Sequence, residues 1–211
     1  RSTLFPYTTL FRSWNQAEKT KPSASLIMTY KVYSQQFPED LEVAIWGAQA
    51  ARQVKDYSTS LFLYETASKT LNQPGQDVNK LESALLSQIE VAEESTDAAM
   101  LEKAQAAYLS NSKLKTKVHE VAYQKAHKLY ESGQTQAGAD QLKALALNKQ
   151  APMTVRKQSA DLALDALVIL KDEKTMEAWA SEFAELFKGT DGMEFAEIQQ
   201  KSILTQSANI A

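Results

Sequence analysis

The feature that most constrains this chain is a recurring pair of helical segments. From Trp14 onward, apolar residues return every three or four positions, and each run stops at Pro, Gly or a residue that can cap a helix. Successive pairs begin near residues 39, 77, 113 and 153, so the repeat length is about 36 to 40 residues. The predicted helices cover residues 24–37, 38–54, 58–71, 77–93, 98–109, 114–131, 134–147, 154–170 and 174–187.

A single helix pair of this kind leaves one apolar face uncovered. Neighbouring pairs must therefore stack on it, since apolar burial contributes about 25 cal/mol per Å². The pattern predicts an all-α protein: an α-solenoid of antiparallel helix pairs with about nine or ten helices, forming one domain over residues 14–211. We expect helix 24–37 to be the second half of a pair whose first half is missing. A terminal helix over residues 193–207 is expected to cap the stack, the alternative being that the chain continues further.

Small residues recur at fixed positions of the predicted pairs. In the pair that begins at Pro38 the pattern consists of Ala44, Gly47, Ala48 and Ala51, then Tyr57, Tyr64 and Ala67. In the third pair it consists of Ala122, Ala126 and Leu129 before Gly133, then Gly138, Leu142 and Leu145. This pattern resembles a divergent tetratricopeptide repeat over residues 23–188, which implies a right-handed α-solenoid, with related helical solenoids as the alternative fold. Because helix backbones approach closely where small residues recur, we expect Ala48 and Ala126 at helix contacts.

Residues 1–13 read RSTLFPYTTLFRS and resemble the in-frame translation of a widely used sequencing-library adapter. The resemblance implies that these residues are non-native and that the true amino terminus is missing. Without Arg1 and Arg12, Lys+Arg falls from 23 to 21 against 26 acidic residues, so the net charge changes from −3 to about −5. The alternative is a genuine β-prone strand, because Leu4, Phe5, Tyr7 and Leu10 would suit one.

Composition narrows the classes of function. The chain has no cysteine, which excludes disulfides and thiolate zinc sites. The richest apolar run, residues 162–170, is about half as long as a membrane span and contains Asp165. The charges are interspersed and their sum is negative, so no basic surface for phosphates is predicted. We expect no membrane span and no nucleic-acid partner.

No catalytic residue, metal site or cofactor is predicted. The run from His119 to Tyr123 begins like a helical zinc-protease motif, but tyrosine stands where the second histidine ligand would be. His127 lies eight residues beyond His119, too far along a helix for one metal ion. The six glycines form no phosphate-binding loop. Two charged sets are interpreted as solvated faces: Glu90, Glu93 and Glu94, and Lys113, Lys115 and Lys117.

The resemblance also implies where a partner would bind, since the first helix of each repeat forms the concave surface of such a stack. The residues placed there are Gln49, Arg52, Tyr123, His127 and Tyr130. We expect Arg52 to pair with a partner's carboxylate and the tyrosines to stack on extended peptide. The predicted function is a non-catalytic scaffold or adaptor that binds a protein or peptide.

Two other classes of function stay open. The chain could be a structural subunit of a bacterial envelope assembly, or the docking module of an enzyme whose catalytic domain is missing. The repeats are similar in style to those of bacterial cell-envelope proteins, which favours the envelope or periplasm over the cytoplasm.

Overall fold

A computed structural model describes residues 8–189 of the chain. Within this range the protein consists of ten α-helices and contains no β-strand, which confirms the all-α prediction. The helices are α1 (Thr8–Ala17), α2 (Ala24–Gln36), α3 (Leu41–Gln53), α4 (Tyr57–Leu71), α5 (Val78–Ser95), α6 (Ala98–Asn111), α7 (Val118–Glu131), α8 (Thr135–Leu147), α9 (Met153–Leu170) and α10 (Glu173–Leu186). The strand alternative is wrong for residues 8–13, which are helical. Residues 1–7 and the terminal helix predicted over 193–207 lie outside the described residues.

Six helices begin at a side chain that caps them. The side-chain oxygens of the capping residues accept hydrogen bonds from backbone N–H groups of the first turn, which have no partner within the helix. The capping residues are Ser23, Asp40, Asp56, Asp77, Asp97 and Asp172, at the start of α2 to α6 and α10. Nearly all predicted helix ends therefore lie within two residues of the observed ones.

Two predicted helix starts are wrong. Helix α3 begins at Leu41 and not at Pro38, because Asp40 is its cap and accepts from the Val43 N–H at 3.4 Å. Helix α7 begins at Val118 and not at residue 114. The preceding Ser112 and Thr116 bond to a carboxylate of α5 instead of continuing a helix.

Helices α1 to α6 form one compact unit, residues 8–118. Each helix from α2 to α5 packs on the next, while α1 packs on α3 and α2 also packs on α4. Helices α2 and α3 cross closely at Gly47, where an added Cβ would lie 2.5 Å from the Tyr30 Cβ. Ala48 is fully buried, and its carbonyl accepts from the Ser60 hydroxyl at 2.8 Å, which confirms its predicted place at a helix contact.

Helix α1 contains part of the segment that resembles an adapter. Its Phe11 is buried and lies 5.2 Å from the Tyr30 ring and 4.7 Å from the Tyr33 ring, measured between centroids. The described part of this segment therefore packs against α2. The non-native origin of residues 1–13 stays a prediction.

Helices α7 to α10 belong to a second compact unit, described over residues 119–189. Helix α9 packs on α8 and on α10. Helices α7 and α8 cross at Gly138, where an added Cβ would lie 2.9 Å from the Tyr130 backbone nitrogen. Ala126 is buried at this crossing, as predicted, and the core also contains Phe183 and Phe187. The single repeat domain over residues 14–211 stays a prediction.

No helix among residues 8–189 combines the length and apolar character that a bilayer-spanning segment needs.

Candidate functional site

The first unit carries a shallow cavity, the α3–α5 groove, with a volume of about 250 Å³. Residues from three helices line it: Ile45 and Gln49 of α3, Tyr64 of α4, and Asn79, Lys80, Ser83, Ala84 and Ser87 of α5. Tyr64 and Ala84 are buried and form its floor, whereas Gln49 and Ser83 are exposed at its edges. The predicted residue Gln49 therefore lines a real depression.

Helical spacing explains the polar edge that α5 contributes. Asn79, Ser83 and Ser87 follow one another at intervals of four residues, so they lie on one side of the helix. Their side chains are short and can donate or accept hydrogen bonds without filling the groove. The opposite side of α5 carries Leu81 and Leu85, both buried.

Arg52 of α3 lies one helical turn beyond Gln49 and connects α3 to α5. Its Nη1 lies 2.9 Å from Glu90 Oε2, its Nη2 lies 2.6 Å from Glu94 Oε1, and its Nε donates to both Glu94 oxygens at 3.1 Å. The hydrogen bond to Glu94 raises the pKa of the Arg52 guanidinium, and the same bond lowers the pKa of the Glu94 carboxyl. We call these three residues the Arg52 cluster. The sequence interpretation of Glu90 and Glu94 as merely solvated missed this pairing.

In the second unit, Tyr123, His127 and Tyr130 form a row along α7, the α7 aromatic row. The ring centroids of Tyr123 and His127 are 6.0 Å apart, and those of His127 and Tyr130 are 6.2 Å apart. All three side chains are half-buried. Burial, with a smaller effect from the Asp161 charge, raises the pKa of Tyr123. The structure thus brings these three predicted residues together on one helix, whereas Gln49 and Arg52 belong to the first unit.

Glu82 is a buried carboxylate that the sequence reading missed. It accepts from the Tyr108 hydroxyl at 2.5 Å, from the Thr116 hydroxyl and N–H at 2.5 and 3.1 Å, and from the Ser112 hydroxyl. Burial alone would raise its pKa, but these hydrogen bonds outweigh it and the pKa is lowered. The carboxylate holds the loop of residues 112–117. In the sequence, Glu82 adjoins Leu81 and stands three residues before Leu85, and this position on the apolar side of α5 was a signal of its burial.

A second cavity lies beside α2, with a volume of about 420 Å³. Its wall includes Ile27, Met28, Lys31 and Val54. Met28 and Val32 point outward from α2 and are 61% and 45% exposed. They lie one turn apart, opposite the buried Tyr30 and Tyr33, so α2 has a small exposed apolar face.

The described residues contain no group of three or more His, Asp or Glu side chains placed to hold a metal ion. Lys113, Lys115 and Lys117 lie in the loop before α7, not on a helix face, and are exposed. Lys113 Nζ donates to the Asn72 carbonyl at 3.0 Å.

No protein-family model matches this sequence, and no curated protein or solved structure is significantly similar to it. The resemblance to tetratricopeptide repeats therefore stays a prediction.

Proposed function

We propose that the protein is a non-catalytic scaffold or adaptor that binds a segment of another protein on the exposed faces of stacked helix pairs. The observation that carries this proposal is the α3–α5 groove. Its buried floor and short polar edges suit an extended peptide, whose backbone needs hydrogen-bond partners and whose side chains need room.

Part of the packing of the first unit fits a solenoid of stacked helix pairs. In stacked helix pairs each helix contacts the next one and also the equivalent helix of the neighbouring pair. Here α2 packs on both α3 and α4, and α1 packs on α3. Close crossings at Gly47 and Gly138 fit pairs that pack backbone against backbone.

The α7 aromatic row supports the same kind of function in the second unit. Tyrosine offers a large and rigid contact surface together with a hydroxyl group, a combination that is common in binding surfaces. His127 stays accessible, with 40% of its side chain exposed. We propose that the row stacks on a partner segment.

Selection from a displayed library of random dodecapeptides on the immobilised protein tests the proposal. We expect peptides whose binding is lost in Ser83→Trp, because the indole fills the groove. Ser181→Trp is the matched control, since Ser181 is also an exposed helical serine but lies on α10. Peptides that bind both variants equally well, or no selected peptide, would contradict binding in the groove.

The exposed apolar face of α2 favours one second candidate function, a structural subunit that assembles with other copies. Apolar side chains that protrude in pairs are typical of interaction surfaces. Light scattering should then show an oligomer that Met28→Lys with Val32→Lys converts to a monomer. Gln136→Lys with Gln141→Lys, at two exposed polar residues of α8, is the control for the added charge. A wild-type protein that is monomeric at high concentration would exclude this candidate.

A further inference from the structure

We infer that the α3–α5 groove prefers an extended peptide that places a lysine or arginine against Glu90 and Glu94. This inference rests on the proposed function and adds to it the sign of the partner's charge at one end of the groove. It reverses the expectation from sequence, in which Arg52 would pair with a partner's carboxylate.

The groove has a defined direction. Near one end, Ile45 of α3 and Lys80 of α5 line it together. Beyond the other end, Arg52 near the end of α3 contacts Glu90 and Glu94 near the end of α5. Both helices therefore run the same way along the groove and reach the Arg52 cluster with their carboxyl-terminal halves. Helix carboxyl termini carry partial negative charge, which favours a cation.

The Arg52 cluster has an excess of negative charge. One guanidinium faces two carboxylates, so the net charge of the cluster is −1. The Nε, Nη1 and Nη2 atoms of Arg52 all donate to these carboxylates already. A partner's carboxylate would have to compete with both of them for the same guanidinium.

The two glutamates remain accessible to a second cation. The side chain of Glu90 is 55% exposed and that of Glu94 is 44% exposed, while Arg52 is 30% exposed. A carboxylate has two oxygens with several acceptor positions and can bind two cations at once. A lysine or arginine at this end of a bound peptide would therefore neutralise the excess charge.

The other end of the groove carries no comparable excess. Lys80 lines it near Asp77, whose pKa is lowered by hydrogen bonds from the backbone N–H groups of Asn79 and Lys80 and, to a smaller extent, by the Lys80 charge. The two opposite charges offset each other there. The groove thus distinguishes peptides mainly by what they place at the Glu90–Glu94 end.

A series of charge variants tests the inference with the random dodecapeptide library as the probe. Arg52→Gln changes the cluster charge from −1 to −2, and Glu90→Gln with Glu94→Gln changes it to +1. We expect lysine and arginine to be enriched on the wild type and more strongly on Arg52→Gln. On the double glutamine variant the enrichment should change to aspartate and glutamate.

The best wild-type peptide should bind the double glutamine variant roughly ten-fold more weakly, with a loss that shrinks at high salt. Glu182→Gln with Glu185→Gln is the matched control. Glu182 and Glu185 each pair with a lysine of the second unit. The control changes the net charge of the protein by the same amount as the double glutamine variant does. Circular dichroism of each variant checks that the helices persist.

The outcomes separate the two proposals. Peptides that Ser83→Trp abolishes but that show no basic preference, or whose preference survives in the double glutamine variant, overturn the inference and leave the groove as a binding site. If no selected peptide depends on Ser83, the proposed groove function fails and the inference fails with it.

Discussion

The α3–α5 groove and the α7 aromatic row are both candidate binding surfaces, but they are built in different ways. The groove combines residues from three helices, so it exists only when α3, α4 and α5 are packed. The row lies on one helix, and its members are four and three residues apart. The groove has a mainly apolar lining with polar edges and lies next to a charged cluster, whereas the row offers stacked rings.

The groove therefore depends on tertiary structure, whereas the row depends on helix periodicity alone. Damage to the packing of α5 should abolish the groove and spare the row. Salt should affect binding in the groove and leave stacking on the row unchanged.

The largest effect is expected for Glu82→Ala. This change removes the acceptor for the hydroxyls of Tyr108, Ser112 and Thr116, and we expect a loss of about 3 kcal/mol in the free energy of unfolding of the first unit. Urea unfolding monitored by Trp46 fluorescence measures the free energy of unfolding of the first unit. In a separate variant with Trp14 and Trp46 changed to Phe, the fluorescence of Trp179 reports on the second unit.

Glu102→Ala is the control for this experiment, because Glu102 is an exposed glutamate on α6. We expect it to change the free energy of unfolding by less than about 0.5 kcal/mol. Equal losses in the Glu82 and Glu102 variants would contradict the structural role of Glu82.

The second largest effect is expected at the two close helix crossings. Gly47→Ala should displace α3 from Tyr30, and Gly138→Ala should displace α8 from the Tyr130 backbone. Alanine favours a helix over glycine by roughly 1 kcal/mol, and each clash should cost about 1–3 kcal/mol more than this gain. Thermal unfolding and peptide binding should show that Gly47→Ala impairs the groove and Gly138→Ala the row.

Gly75→Ala separates steric clash from backbone strain. Gly75 has a φ of +81° and no heavy atom within 4 Å of an added Cβ, so only strain of about 1–2 kcal/mol is expected. If Gly47→Ala and Gly138→Ala are both as stable as the wild type, the helices do not cross as closely as the structure places them.

A smaller effect is expected from pH. Because the pKa of Glu82 in the folded protein lies below its ordinary value of 4.5, the ionised carboxylate stabilises the first unit fully above that value. The stabilisation is lost as pH falls through the lower, folded-state pKa. Urea unfolding at several pH values should show a steeper loss below pH 4.5 for the wild type than for Glu82→Gln. Parallel curves for the two proteins would contradict this assignment.

Much of the fold could be predicted from the sequence because it depends on local signals. Helical periodicity and capping residues such as Ser23 placed the helices, and small residues such as Ala48 and Ala126 marked helix contacts. The start of α7 was missed because a carboxylate of α5, thirty residues away from Ser112, keeps residues 112–117 out of the helix. Local signals contain no information on such a long-range contact.

The candidate surfaces, too, could be predicted only where they depend on local signals. The α7 aromatic row could be predicted because its residues share one helix. Gln49, predicted at a partner-binding groove, lines the α3–α5 groove, but its neighbours Ser83 and Ser87 on α5 were not named. The role of Arg52 was predicted without Glu90 and Glu94, because a sequence does not show which helices lie side by side.

The smallest effect on stability is expected for two single changes, Arg52→Gln and Tyr130→Ala, which should differ in their dependence on salt. Loss of the half-exposed guanidinium should lower the free energy of unfolding by about 0.5–1 kcal/mol at low salt, and less at high salt. Tyr130→Ala should cost a similar amount that does not change with salt. Unfolding curves at two NaCl concentrations measure both, and identical salt dependence would contradict the contrast.

Binding of an extended peptide in the α3–α5 groove is tested most directly by an amide NMR titration of the ¹⁵N-labelled protein with the best library-selected peptide. The groove predicts chemical-shift changes concentrated at Ile45, Gln49, Ser83 and Ser87 and extending to Glu94. Changes confined to helices outside α3 to α5, or none at saturating peptide, would contradict it.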